Sequence, residues 1–400
     1  MITTDILIVG GGIMGISIAR ELNARLPDAH ITLIEKESTA ACHASGRNSG
    51  VLHAGFYYTA DSLKARFTAE GNKLLTDYCL RHGLAINQCG KIVVARDENE
   101  LKGIFELKQR GDQNGVKLEV IDEKDLEEME PNARTFSKAL YSPATSVVKP
   151  KEVVEHLASD LQRKKVNILF NEKFIKREGA STVSTNKQKI QFKHLINAAG
   201  LYADKIAHQF GVGGKYILLP FKGLYMEYND SRLFQRHIYP VPNLGNPFLG
   251  VHFTKTADGN IKIGPTAIPA FWRENYQGFS HFNLNEFLEV LCTEARLFCT
   301  NAFHFRSLTL QEIKKYSRKY FIRQAAYLAK KVDTTRFGSY LTPGIRAQLL
   351  NTEKMNLVMD FVIEHGERST HILNAVSPAF TASLSFSKYI VDEIERVLRH

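Results

Sequence analysis

A glycine-rich turn between a strand and a helix, followed by a second strand that ends in an acid, constrains this chain more than any other stretch. Residues 5–9, Asp-Ile-Leu-Ile-Val, are a short apolar run of strand type. They lead into Gly10-Gly-Gly-Ile-Met-Gly15 and then into the apolar-patterned residues 16–22. Residues 31–34, Ile-Thr-Leu-Ile, form the next strand, and Glu35 follows it. Strand, Gly-x-Gly-x-x-Gly, helix, strand and acid in that order describe a dinucleotide-binding βαβ unit. Gly10 allows the tight turn, Gly12 lets backbone approach a pyrophosphate, and Gly15 lets helix pack on strand. The helix N-terminus then offers N–H groups to the phosphates. Glu35 stands about 20 residues beyond Gly15, where a carboxylate can accept from a ribose hydroxyl. The pattern leaves NAD and FAD both open.

A chain of 400 residues is longer than one typical domain, so two lobes are expected. Residues 61–82 read as a helix, with Asp61 as its cap and Gly83 as a left-handed end. Residues 88–95 read as a strand and 98–111 as a helix. Pro150 opens an amphipathic helix with Val153, Leu157 and Leu161 on one face. Residues 194–200 are a strand running into small residues, and residues 216–268 hold several short strands of antiparallel type. Residues 283–331 are largely helical, and a last helix follows Ser377-Pro378. The expected class is α/β (α+β overall). A Rossmann-type domain interleaves with a mostly antiparallel-sheet domain that carries a helical insertion.

No apolar run has the length of a membrane span, and no secretory signal is read at the N-terminus. Five cysteines without a CxxC pair fit reduced thiols and a cytoplasmic setting. Cys292 and Cys299 share a face of one helix, and core packing is expected of them. The net charge of +10 permits an anionic substrate or an acidic membrane surface, including a peripheral contact on the inner face of the cell membrane. The basic residues are scattered, with no aromatic-basic module, so nucleic acid is not an expected partner. No metal site is expected: Cys42, His43 and His53 lack zinc-ligand spacing.

Taken together, these pieces resemble the flavoprotein superfamily of D-amino-acid oxidase, glycine oxidase and glycerol-3-phosphate dehydrogenase. Within it the chain is similar to the L-2-hydroxyglutarate dehydrogenase/oxidase branch. The residues that carry the likeness are Asn48-Ser-Gly-Val-Leu-His-Ala-Gly-Phe-Tyr-Tyr58, Val241-Pro242, Pro247-Phe-Leu-Gly-Val-His-Phe-Thr254, Gly264-Pro265, Gly344-Ile-Arg-Ala-Gln348, Asp360-Phe-Val-Ile363 and Leu373-Asn-Ala-Val-Ser-Pro378. The resemblance implies FAD as cofactor. It implies FAD contacts from Gly10, Gly12, Gly15, Glu35 and Lys36, from the loop residues Ser45, Gly46, Asn48, Ser49 and Gly50, and from Ala199, Gly200, Ser377 and Pro378. The expected FAD-binding domain comprises residues 1–82, 145–212 and 341–400, and the substrate domain residues 83–144 and 213–340.

The resemblance also implies oxidation of L-2-hydroxyglutarate to 2-oxoglutarate, with electrons passed to a quinone or to O2. Oxidising a 2-hydroxy acid needs a base for the hydroxyl proton, a hydride acceptor, and cations that hold the carboxylates in place. Histidine suits the base because its ordinary pKa is near neutral, and His53 and His252 are the candidates, His53 first. Arg346 is the first choice for a carboxylate, with Lys222 as a second cation and Tyr57 as a hydrogen-bonding wall. The competing readings are an amine or D-amino-acid oxidase of the same fold, a flavin-binding subunit without activity, and an NAD dehydrogenase. The oligomeric state is not legible.

Overall fold

The strand Ile2–Val9 is the centre of a sheet, because its apolar side chains are buried on both faces. It pairs in parallel with Ile31–Glu35 on one side and with Lys189–Asn197 on the other. The helix Ile13–Arg25 makes the crossover between the first two strands. Asn167–Phe170 extends the parallel set beyond Ile31–Glu35. The long strand Lys189–Asn197 is shared: Thr182–Thr185 pairs antiparallel with its first half, and Ser369–Asn374 pairs in parallel with its end. This is the expected doubly wound arrangement. The computed structural model describes residues 1–243 and 249–399.

The chain divides into two compact units. One comprises Met1–Asn48, Pro150–Pro220 and Arg346–His400; the other comprises Ser49–Lys149 and Phe221–Ile345. The boundaries therefore differ from those read in the sequence. Residues 49–82, 145–149 and 341–345 group with the second unit, and residues 213–220 with the first. Hydrogen bonding explains the first shift. Asn72, on the helix Leu63–Arg81, donates Nδ2 to the carbonyls of Leu52, His53 and Ala144. Val51–Leu52 pairs with Ser146–Val148, so residues 49–82 are tied to partners within the second unit. The helix cap also falls one residue later than expected: Ser62, not Asp61, accepts from the Ala65 N–H.

The second unit is built on an eight-stranded sheet. Its order runs Phe337–Tyr340, Met226–Tyr228, Ile261–Gly264, His252–Lys255, His237–Pro240, Lys91–Val94, Lys138–Ser142, Glu119–Asp122. All neighbours are antiparallel except one pair. His237–Pro240 runs parallel to Lys91–Val94, with His237 beside Lys91 and Tyr239 beside Val93. Three helices, Leu284–Thr300, Phe305–Ile313 and Arg318–Ala326, form the expected helical insertion. Among the described residues no helix is long and apolar enough to cross a membrane.

Cys292 and Cys299 correct the sequence reading. They do share a face of Leu284–Thr300, but both are exposed, so that face is turned away from the core.

Candidate functional site

In the first unit the turn after Ile2–Val9 is shaped by what it lacks. Gly10 has φ +113, and a Cβ there would lie 2.5 Å from the Ala198 carbonyl oxygen. A Cβ on Gly15 would overlap the Gly10 carbonyl oxygen, so helix and strand meet at backbone distance. A Cβ on Gly12 would stand 2.9 Å from Ser45 Oγ. That hydroxyl also accepts from the Ile13 N–H at 2.9 Å, which brings the loop after Ile31–Glu35 onto the helix N-terminus. The loop is held by itself: Asn48 Nδ2 donates to the carbonyls of Ala44 and Ser45, and the Gly46 N–H donates to His43 O.

Glu35 is buried at the end of its strand. Its Oε2 accepts from the Gly11 N–H at 2.6 Å and its Oε1 from the Glu37 N–H at 2.9 Å. A carboxylate has about four lone-pair positions, so both oxygens keep acceptor capacity. Lys36 donates to Glu37 Oε1 at 2.7 Å and lies over the Tyr202 ring. His43 meets the same Glu37 oxygen at 2.9 Å. Burial alone would raise the Glu37 carboxyl; the bonds from Lys36 and His43 outweigh it and hold the pKa at about 2.

The segment 197–200 closes the cradle. Asn197 is fully buried and donates to the Ala203 carbonyl, also meeting His371 Nδ1. Ala199 receives its backbone support from Asn197 Oδ1, and Gly200 takes φ +55 with open space beside it. The helix Ala379–Arg399 starts one residue past Ser377 and Pro378. Asn374, also buried, donates to the carbonyls of Val358 and Asp360 just before it. A turn stripped of side chains, a helix N-terminus and a buried carboxylate fit the ADP portion of a dinucleotide. Arg346, half-buried on the strand Gly344–Asn351, is the residue at which this unit resumes. Ser49 and Gly50 belong to the second unit, where Gly50 accepts from the Val148 N–H.

In the second unit the sheet register gathers the chemistry. Ile238 lies opposite Phe253, so the adjacent antiparallel pair is Tyr239 opposite His252, and their rings stack with centroids 3.6 Å apart. The parallel register puts Lys91, His237, Val93 and Tyr239 on that same face. Lys262 joins it, since Thr254 lies opposite Lys262 and Gly264 opposite His252. Glu227, opposite Lys262, is at an exposed position. His252 Nδ1 is 2.9 Å from the Gly250 carbonyl. A carbonyl only accepts, so Nδ1 carries a proton there. Residues 244–248, including Pro247 and Phe248 of the expected motif, lie outside the described residues.

Lys91 is the residue that the sequence reading missed. It is completely buried, its ammonium has no hydrogen-bond partner among the described residues, and it faces the rings of Phe56, Tyr57 and Tyr239 at 4.6, 4.5 and 4.9 Å. Burial pulls its pKa down to about 7. His237 is held near 3 by burial and by the charges of Lys91 and Lys262, so it stays neutral. Burial also lowers Lys262, to about 8. The one available signal was a lysine opening the otherwise apolar strand Lys91-Ile-Val-Val94.

Of the expected substrate residues, His53 and Tyr57 share one loop. Asn72 holds its start through the His53 carbonyl, Arg110 donates to Tyr57 O, and Asn114 donates to Gly55 O and Tyr58 O. Tyr57 is buried in the same apolar cluster as Phe56 and Tyr239, and burial raises its hydroxyl pKa. Lys222 is on another sheet. It lies on Tyr216–Gly223, opposite Ile268, and donates to Asn275 Oδ1 at 3.0 Å.

A model of the FAD dependent oxidoreductase (DAO) family matches residues 5–392. The chain belongs to that family. Its members bind FAD, and the cradle around Gly10, Gly12 and Glu35 has the form that such a cofactor needs. Within the DAO family the chain is similar to mitochondrial L-2-hydroxyglutarate dehydrogenase of Mus musculus, 36% identical over 97% of this chain and 88% of that protein. It is also similar to L-2-hydroxyglutarate dehydrogenase of Escherichia coli K12, 32% identical over 98% of this chain and 94% of that one. Among solved structures, the FAD-bound L-alpha-glycerophosphate oxidase of Mycoplasma pneumoniae superposes with a TM-score of 0.77, at 23% identity, over 100% of this chain and 96% of that chain. Glycine oxidase of Geobacillus kaustophilus gives 0.73 at 17% identity, covering 99% and 95%. These two likenesses are of fold.

Proposed function

We propose that this FAD-dependent oxidoreductase oxidises L-2-hydroxyglutarate to 2-oxoglutarate and passes the electrons to a quinone or to O2. The observation that carries the reading is the basic sheet face of the second unit, where Lys91, His252 and Lys262 stand on one side of one sheet. It supports a doubly anionic substrate, in a chain whose relatives at 32–36% identity are L-2-hydroxyglutarate dehydrogenases. FAD, when bound, supplies the two-electron acceptor. The side chains must then bind the two carboxylates and take the hydroxyl proton.

Arg346 holds one carboxylate through its guanidinium fork. His53 takes the hydroxyl proton, with its loop held by Asn72 and Asn114 so that the ring is delivered from a fixed backbone. A second reading assigns the proton to His252. The contact with Gly250 O favours it, because it holds the ring through Nδ1 in one orientation. Tyr57 and Tyr239 exclude water from this face, both being buried.

The test is anaerobic mixing of the holoenzyme with L- and D-2-hydroxyglutarate, lactate, malate, glycine and D-alanine while flavin absorbance is followed. Rapid bleaching by L-2-hydroxyglutarate alone is expected; faster bleaching by glycine or D-alanine would assign the chain to the amine oxidases instead. With Arg346→Ala the KM for L-2-hydroxyglutarate should rise roughly 10- to 100-fold, the loss of one charge-assisted contact. An unchanged KM removes Arg346 from the site.

A further inference from the structure

We propose that Lys91 is a positioning residue for the oxidation: its ammonium clasps the loop of residues 53–58 to the sheet strand that carries Tyr239, and so fixes His53 and the Tyr239–His252 pair relative to each other. The inference rests on the reaction proposed above. Three ring faces surround Nζ, with centroids at 4.5, 4.6 and 4.9 Å. Two of them, Phe56 and Tyr57, belong to the loop that begins with His53. The third, Tyr239, belongs to His237–Pro240, and its ring stacks on His252. The loop's carbonyls are held by Asn72, Arg110 and Asn114, from two helices. Its Phe56 and Tyr57 rings are met by Lys91, from the sheet.

An uncharged side chain of the same length would fill this space with less desolvation. Lys91 is completely buried, and its ammonium has no hydrogen-bond partner among the described residues. Burying an unpaired charge is costly, and that cost marks a position where charge serves the site. The face of an aromatic ring attracts a cation far more than a neutral amine or a methyl group. The clasp therefore holds while Nζ carries its third proton. Burial brings the amine to about 7, so the clasp is released as pH rises through neutrality. The groups facing Lys91 leave this sign unchanged. The loop presents Tyr57, whose hydroxyl is kept protonated by burial. The parallel neighbour presents Tyr239 and His237, and His237 stays neutral. The antiparallel neighbour places Ser142 beside Lys91. Lys262, three strands away in the same row, is a cation and supplies no attraction.

The test compares Lys91→Met and Lys91→Arg with the wild type, each as the FAD-loaded full chain. Flavin content and a melting transition at pH 9 confirm that the variants fold. With L-2-hydroxyglutarate, wild-type kcat should exceed that of Lys91→Met roughly tenfold at pH 6, with KM changed less, and the two should converge by pH 9, where the wild-type amine is neutral. Taking the ratio cancels the titration of the base, which both proteins share. Lys91→Arg stays charged throughout, so its advantage over Lys91→Met should persist at pH 9. Amide exchange of residues 53–58, measured without substrate and corrected for the intrinsic effect of pH, should be roughly tenfold faster in Lys91→Met than in the wild type at pH 6 and equal at pH 9. That readout separates two failures. If L-2-hydroxyglutarate leaves the flavin oxidised while exchange still follows Lys91, the substrate reading falls and the clasp stands. If L-2-hydroxyglutarate bleaches the flavin and Lys91→Met matches the wild type in kcat and exchange at every pH, the clasp is overturned. A loss of equal size at every pH, not recovered by Lys91→Arg, also overturns it and assigns Lys91 to packing.

Discussion

In the cradle of residues 10–15 the decisive positions carry no side chain, whereas on the sheet face of Lys91, Tyr239 and His252 the side chains are everything. The cradle works by backbone proximity. Its tolerances are those of hard contacts, and a single methyl group fills the space. The basic face works by bringing rings and cations from separate strands into register. A substitution there leaves the backbone in place and changes charge, proton affinity or ring orientation. The two regions should therefore fail in different ways: the first by losing cofactor and fold together, the second by losing chemistry while the flavin stays bound.

The largest expected effect falls on the cradle. Gly15→Ala places a methyl group against the Gly10 carbonyl and should destabilise by about 3 kcal/mol or more, with most of the flavin lost on purification. The ratio of flavin to protein absorbance checks it; full flavin content would break the comparison. Next comes the proton. His53→Asn should lower kcat roughly 10²- to 10⁴-fold with flavin content unchanged, and His252→Asn by less. A larger loss in His252→Asn transfers the base role to His252, as its contact with Gly250 allows.

Lys91→Met sharpens the comparison through pH. The folded pKa of Lys91, about 7, lies below the ordinary lysine value of 10.5, so the unfolded chain binds the extra proton between them. Burying the charged amine costs stability in full below pH 7, and the cost disappears as pH rises toward 10.5. The Met variant should accordingly melt above the wild type at pH 6, with the gap closing by pH 10. A gap independent of pH would mean that the burial of charge is not what Lys91 contributes. The smallest effect is expected for Ser45→Ala, which removes the acceptor for the Ile13 N–H and should cost about 1 kcal/mol in a denaturant titration.

This contrast also explains what the sequence made legible. The glycines of the turn and Glu35 stand within one βαβ unit, so their spacing alone specifies the geometry, and the sheet order around Ile2–Val9 follows from it. The parallel join of Lys91–Val94 to His237–Pro240 unites residues far apart in the chain, and no local pattern specifies that register. Lys91 was therefore overlooked although its loop partners Phe56 and Tyr57 were inside a recognised motif. The helix Leu284–Thr300 shows the same limit from another side. Its two-faced pattern was readable, and Cys292 and Cys299 were correctly placed on one face, but periodicity does not say which apolar face is turned inward. The domain boundary at residue 49 depended on Asn72 reaching three carbonyls, a tertiary fact with no signature in spacing.

The first unit is assembled from three separate segments, and its earliest part leans on its latest. Ser369–Asn374 completes the sheet beside Lys189–Asn197, and Arg25, at the end of the first helix, is paired with Asp392 on Ala379–Arg399. During synthesis the glycine turn therefore emerges long before the strand and helix that finish its support. Until residues 369–399 have left the ribosome, the nucleotide-binding half has an unfinished sheet and an uncovered helix. Cofactor capture in this chain should therefore wait for residues 369–399, which emerge long after the turn that begins it.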